Sequence, residues 1–156
     1  MTITIYYRDS DLPPGFDKNK LAIARYDGTL NRWIPLPAIP GPDPNEISCM
    51  TDHLSTFALV QLVAASDLSS VKIYPNPFNS NSLEQGMIIA NLTPSADIKI
   101  YNLAGELIRT LKYSNASGQA VWDGSNDSGN KVSSGIYIIY IKSDQGTKKV
   151  KVAIEK

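Results

Sequence analysis

Cysteine and histidine are all but missing: Cys49 and His53 are the only examples in 156 residues. One cysteine excludes an internal disulfide, a thiolate metal cluster and a redox dithiol. Its expected role is that of a small buried hydrophobe. One imidazole would leave zinc chemistry to carboxylates, and no spacing here supplies them. Neither a metal nor any other cofactor is expected. Net charge is missing too, since 15 basic residues balance 15 acidic ones at a sequence pI of about 6.6. Such a chain has no long-range field for phosphate backbones, and nucleic acid is excluded as a partner. Aromatic residues make up only 8%, and no apolar run approaches the length of a membrane-spanning segment. The opening Met1-Thr2-Ile3-Thr4-Ile5-Tyr6-Tyr7-Arg8 lacks a basic stretch followed by an apolar one. The expected export signal therefore stands upstream, outside this chain.

What is present is alternation. Short apolar runs bounded by turn residues recur throughout, with no stretch of helical period, so the fold class is all-β. The first half predicts strands over 2–7, 21–26, 33–36, 46–51 and 55–63, with Asp27-Gly28 as a hairpin turn. Pro35, Pro37, Pro40, Pro42 and Pro44 cannot all donate to a ladder, and predict an exposed loop or sheet edge. Small polar residues over 64–70 then mark a linker between a module at 1–63 and another at 71–156. The second module predicts strands over 71–74, 86–92, 96–102, 107–113, 118–122, 135–143 and 148–154. About seven short strands of this kind make an immunoglobulin-like sandwich, and the first module reads as a partial sandwich, the end of a larger domain. The run Ile136 to Ile141 is apolar at both alternations, which predicts a central strand.

Several local motifs punctuate the second module. Tyr74-Pro75-Asn76-Pro77-Phe78 is an extended entry, because each proline fixes φ and drives its predecessor out of the helical region. Asp97 to Gly105 reads Asp-Ile-Lys-Ile-Tyr-Asn-Leu-Ala-Gly, and is followed by Trp122-Asp123-Gly124 and by Ser134-Gly135-Ile136-Tyr137. The oxygen-bearing side chains of Asp123, Ser125 and Asp127 alternate as in a calcium loop. Gly129, however, falls one place late and no bidentate glutamate follows, so a hydrogen-bonded turn is expected. Lys148, Lys149 and Lys151 crowd the last strand, where lysines would protect an exposed edge. Three glycosylation sequons, at Asn91, Asn115 and Asn126, are expected to carry no functional weight.

This order of motifs resembles the carboxy-terminal sorting domains of type IX secretion cargo and the immunoglobulin-like domain of flagellar hook-capping proteins. The tryptophan loop lies closer to the hook-capping pattern. The resemblance implies a sorting motif at Tyr74, Pro75, Asn76, Pro77, Phe78, Gly105, Trp122, Asp123, Gly124, Ser134, Gly135, Tyr137, Lys148, Lys149 and Lys151. It implies as partners the secretion apparatus of the outer membrane and an upstream domain of the same polypeptide. The destination would be the medium or the outer cell surface, reached through the periplasm.

The first module carries one chemically sharper feature. Thr51-Asp52-His53-Leu54-Ser55-Thr56-Phe57 resembles the end of GAIN-type self-cleaving sandwiches. There His53 would take the Ser55 proton as the hydroxyl attacks the Leu54 carbonyl, giving an ester that water opens. A triplet without a strained backbone does nothing, and the alternative is an ordinary last strand with Phe57 and Leu59 in its core. The expectation is a non-catalytic chain. Its rival readings are an assembly module, an adhesive sandwich that stacks sugars on Tyr6, Tyr7, Tyr26 and Trp33, and the self-cleaving sandwich.

Overall fold

The computed structural model describes residues 1–29, 31–82, 86–114 and 117–156. Asn115 and Ala116 of the second sequon lie outside the described residues. The chain forms two compact units, Met1–Leu62 and, among described residues, Val63–Ser82 with Gly86–Lys156.

The first unit holds strands β1 (Thr2–Tyr6), β2 (Leu21–Asp27), β3 (Arg32–Pro35), β4 (Ala38–Pro40), β5 (Glu46–Met50) and β6 (Phe57–Gln61). They make two three-stranded sheets, ordered β1-β5-β4 and β3-β2-β6. Alternation decides which side chains meet: Ile23, Leu36, Ile47 and Cys49 are buried together, with Ile3, Ile5 and Leu59 packed on them. Burial removes Cys49 from water and pushes its thiol above its ordinary pKa, as expected of a packing residue. The proline-rich run contributes the edge strand β4, paired through Ala38–Cys49 and Pro40–Ile47. An edge tolerates the missing Pro40 donor.

The second unit holds β7 (Lys72–Tyr74), β8 (Phe78–Asn79), β9 (Met87–Ala90), β10 (Ser95–Asn102), β11 (Leu107–Ser114), β12 (Gln119–Trp122), β13 (Gly135–Ser143) and β14 (Gly146–Glu155). A five-stranded sheet ordered β11-β10-β13-β14-β8 packs on a three-stranded sheet ordered β12-β9-β7. Ile98 and Ile100 from β10, Ile139 and Ile141 from β13, and Val152 and Ile154 from β14 point inward against Met87, Ile89 and Trp122. This is an immunoglobulin-like sandwich, and its seven expected strands are all present.

β13 is central, as its apolar alternations predict; Tyr137, Ile139 and Ile141 are buried, while Ile138 and Tyr140 are half-buried and Ile136 is exposed on the opposite face. The second apolar face is thus the outside of the sandwich. The lysine-bearing part of β14 is an edge, as expected, and only its last residues are covered, by an unexpected two-residue strand: β8 pairs with it in parallel, Phe78 with Ile154 and Asn79 with Glu155.

Candidate functional site

The motif residues of the second unit come together as three turns that close the sandwich. The first joins the beginning of the module to its end. Pro75 and Pro77 follow cis peptide bonds, and between them the Asn76 amide reaches the free edge of β14. Its Oδ1 accepts from the Ala153 N–H at 2.9 Å and its Nδ2 donates to the Lys151 carbonyl at 3.2 Å. Asn76 therefore acts as a side-chain rung of the ladder, and β8 continues it. Ser80 completes the seam, its N–H and Oγ both donating to the Glu155 carbonyl at 2.8 and 3.0 Å. Phe78 points the other way, into the core, and is 2% exposed. Burying a ring of that size contributes about 2–3 kcal/mol.

The second turn surrounds Trp122, which is fully buried. Its indole Nε1 donates to the Ser125 carbonyl at 2.9 Å, so the one polar atom of the ring is satisfied. The Asp123 carboxylate accepts from the Ser125 N–H at 3.0 Å and from its hydroxyl. Burial pushes the Asp123 carboxyl up; those hydrogen bonds and the Lys131 and Arg109 charges outweigh it and hold the group below its ordinary value. Gly124 sits at φ +74°, and a Cβ there would lie 3.3 Å from Phe78 Cε1. The first two motifs thus share one contact, and glycine leaves room for it.

The same loop covers the other edge of the five-stranded sheet. The Asp127 N–H donates to the Ile108 carbonyl at 3.0 Å, and Asp127 Oδ1 accepts from the Thr110 N–H at 3.1 Å. Asn126 Oδ1 accepts from the N–H groups of Ser128 and Asn130 at 3.1 and 2.9 Å. Asp123 and Ser125 therefore spend their side-chain oxygens on the turn itself, and Asp127 Oδ1 ties the turn to β11. Among the described residues no group of three His, Cys, Asp or Glu side chains is placed to hold a metal.

The third turn is the Ser134-Gly135-Ile136-Tyr137 element. The Tyr137 ring packs edge-on against Trp122 at 5.6 Å and 68°, and its hydroxyl donates to the Ser133 carbonyl at 2.8 Å. Ser134 itself is an exposed bend before β13. Gly105 lies apart, in the β10–β11 hairpin: its N–H donates to the Asn102 carbonyl at 3.1 Å from φ +84°, a conformation that suits glycine. Of the three lysines, Lys148 donates through Nζ to the Ser69 carbonyl at 3.0 Å, while Lys149 lies 5.9 Å from the centre of the Tyr140 ring. Lys151 contributes its carbonyl to Asn76, and its side chain points outward with Lys149.

The His53-Leu54-Ser55 triplet of the first unit is exposed. Ser55 Oγ donates to the Tyr26 carbonyl at 2.6 Å, whereas His53 Nε2 lies 3.2 Å from Asp52 Oδ1. The serine proton is committed to a main-chain oxygen, and the imidazole faces a carboxylate. Of the aromatic side chains of this unit, Trp33 and Tyr26 meet edge-on at 5.4 Å and 61° and so are not coplanar, Tyr6 is exposed on β1, and the Tyr7 hydroxyl donates to the Pro44 carbonyl at 3.4 Å.

The sequence missed the meeting of Asn76 with β14. An asparagine between two prolines was its only trace, and its partners lie 75 and 77 positions away.

No curated protein matches the chain. Among solved structures, PorZ of Porphyromonas gingivalis, an essential bacterial surface component of the type-IX secretion system there, is similar with a TM-score of 0.50 and 23% identity, over 72% of this chain and 14% of PorZ. Latent dimeric PorU of the same organism is similar with a TM-score of 0.39 and 18% identity, over 86% of this chain and 16% of PorU. The chain thus spans a small part of the length of either protein, and the PorZ likeness is one of fold. Residues 79–147, from the end of the Asn76 clasp through the β13–β14 turn, match the FlgD Ig-like domain.

Proposed function

We propose that this chain is the non-catalytic carboxy-terminal region of a secreted or cell-surface bacterial protein, and that residues 71–156 direct its type IX-type secretion and surface attachment. The observation that carries this reading is the closure of the module on itself. Its entry motif, Tyr74 to Phe78, is hydrogen-bonded to its last strand through Asn76, so the signal is a folded surface rather than a linear tail. The motif order and the fold shared with PorZ support the same reading. The partners are then the outer-membrane secretion apparatus and the upstream domain of the same polypeptide.

The test places a signal peptide and a fluorescent reporter ahead of the 156-residue chain in a host with a type IX apparatus, and compares medium, cell surface and periplasm. Reporter outside the outer membrane supports the reading. Folded reporter retained in the periplasm overturns it.

The second reading is an assembly module that packs against copies of itself. It is favoured by the match of residues 79–147 to the FlgD Ig-like domain. Concentration-dependent self-association of the purified chain, together with periplasmic retention of the reporter, supports it.

A further inference from the structure

The register of the five-stranded sheet gathers lysines that the sequence scatters. On its outward face Lys142 and Lys112 flank Asp97 across β13, β10 and β11. One step along, Lys149, Tyr140, Lys99 and Thr110 lie side by side, and the next row is Lys151, Ile138, Tyr101 and Leu107. These three rows carry five lysines and one carboxylate in a chain whose net charge is zero. Glu106 and Asp144 lie in the hairpin turns at opposite ends of the sheet.

Neighbouring strands stand about 4.8 Å apart and alternate residues of one strand about 7 Å apart, so the nearest of these lysines are separated by roughly one Debye length and add to a local positive field. Among the described residues none of the five makes an ion pair; Lys149 instead lies 5.9 Å from the centre of the Tyr140 ring. Beneath the basic rows Tyr101, Leu103, Ile138, Tyr140 and Lys149 line a shallow hollow of about 460 Å³. Ile136 and Leu107 extend its apolar floor into exposed surface.

We propose that this outward face of the five-stranded sheet docks an acidic protein segment, whose carboxylates meet the lysines while its apolar side chains enter the Tyr101–Ile138–Tyr140 hollow. A protein suits the face better than other polyanions. Phosphate recognition favours the arginine fork, and the one arginine of β11, Arg109, is turned to the Asn126 carbonyl. A lipid surface would call for apolar side chains that protrude, whereas Tyr101, Ile138 and Tyr140 at the centre of the hollow are half-buried. The inference rests on the sheet face alone and holds whether the module sorts or assembles.

The probe is a random glutamate–tyrosine copolymer, with poly-glutamate, heparin and phosphatidylglycerol vesicles as competitors, added to the isotope-labelled chain in about 0.15 M salt. The expected result is amide-signal changes confined to the rows around Lys99, Tyr101, Ile138, Tyr140 and Lys149. Copolymer affinity should exceed that of poly-glutamate and fall roughly tenfold in Lys99→Glu/Lys112→Glu, which reverses two exposed charges. Tyr140→Ser should remove the advantage of the copolymer over poly-glutamate, and Lys18→Glu/Lys72→Glu should change nothing. Signal changes spread over all lysines overturn the proposal, as does copolymer binding indifferent to Lys99→Glu/Lys112→Glu. Heparin or vesicles binding as tightly as the copolymer would also overturn it, by making the face a general polyanion site. Because these variants alter only outward side chains, a native spectrum accompanies each of them, and the secretion assay scores the sorting reading separately.

Discussion

Asn76 and Ala153, 77 positions apart, are joined by a 2.9 Å hydrogen bond from the Ala153 N–H to the Asn76 side-chain oxygen. With the companion bond from Asn76 Nδ2 to the Lys151 carbonyl, one side chain takes the place of a missing strand beside β14. An uncovered β edge invites pairing with other chains, so this asparagine protects the sheet as well as closing it. Asn76→Ala should lower stability by about 1–2 kcal/mol, since two solvent-accessible hydrogen bonds are lost. For a domain of this size the melting temperature then falls by roughly 4–8 °C per kcal/mol. The variant should also aggregate faster, as light scattering would register. An unchanged melting curve would mean that the Pro75 and Pro77 framework holds the edge without the amide.

Trp122 anchors the second turn from a fully buried position. Trp122→Phe removes the indole N–H that satisfies the Ser125 carbonyl and leaves a gap beside Tyr137. The expected loss is about 1–3 kcal/mol, against roughly 3–5 kcal/mol for Trp122→Ala. Urea unfolding followed by circular dichroism measures both. Equal losses for the two variants would show that the hydrogen bond, and not the volume, dominates.

Gly124 has a conformational and a steric reason to be glycine. At φ +74° any other residue is strained, and the added methyl would press on Phe78 from 3.3 Å. Gly124→Ala should therefore cost at least about 1 kcal/mol. Gly129, at φ +81° with open space around it, should cost less on substitution by alanine. A larger loss at Gly129 than at Gly124 would contradict the contact between the motifs.

Acid should loosen the Trp122 loop. The Asp123 pKa is lowered in the folded chain, so its contribution is fully present above the unfolded value near 3.8 and is lost as pH falls through the folded value. In Asp123→Asn that pH-dependent part disappears. The stabilities of the two proteins should separate above the unfolded value near 3.8 and converge as pH falls below the lowered folded one. Parallel pH profiles would mean that the carboxylate charge contributes nothing in the fold.

The purified chain should keep its full intact mass on long incubation. Ser55 Oγ is hydrogen-bonded to the Tyr26 carbonyl at 2.6 Å, a role in joining the last loop to β2. Ser55→Ala should accordingly cost about 1 kcal/mol and leave the mass unaltered. Fragments ending at Leu54 that vanish in Ser55→Ala would instead establish self-cleavage.

Local signals in the sequence identified most strands because their causes are local. Ile98 and Ile100 alternate with Lys99 and Tyr101, and this period places β10 on the core face without reference to its neighbours. Asn102 and Gly105 likewise announce the β10–β11 turn. What the sequence hid is created by register. β8 is two residues long and gains its identity only from parallel pairing with Ile154 and Glu155. The half-exposed side of β13 reads as core because Ile138 and Tyr140 are apolar, and nothing local says that no second sheet covers them. Lys99, Lys112 and Lys142 sit far apart in a neutral chain, and strand pairing alone assembles them into a basic face.

The most direct test of the central reading compares export of the reporter-tagged 156-residue chain with that of Lys148→Ser/Lys149→Ser/Lys151→Ser. Point changes are preferable to removing the strand, because Val152 and Ile154 of β14 are core residues and their loss would unfold the module. The sorting account predicts wild-type reporter outside the outer membrane and the folded triple variant retained in the periplasm. Wild-type reporter held in the periplasm, or the variant exported equally well, would contradict it.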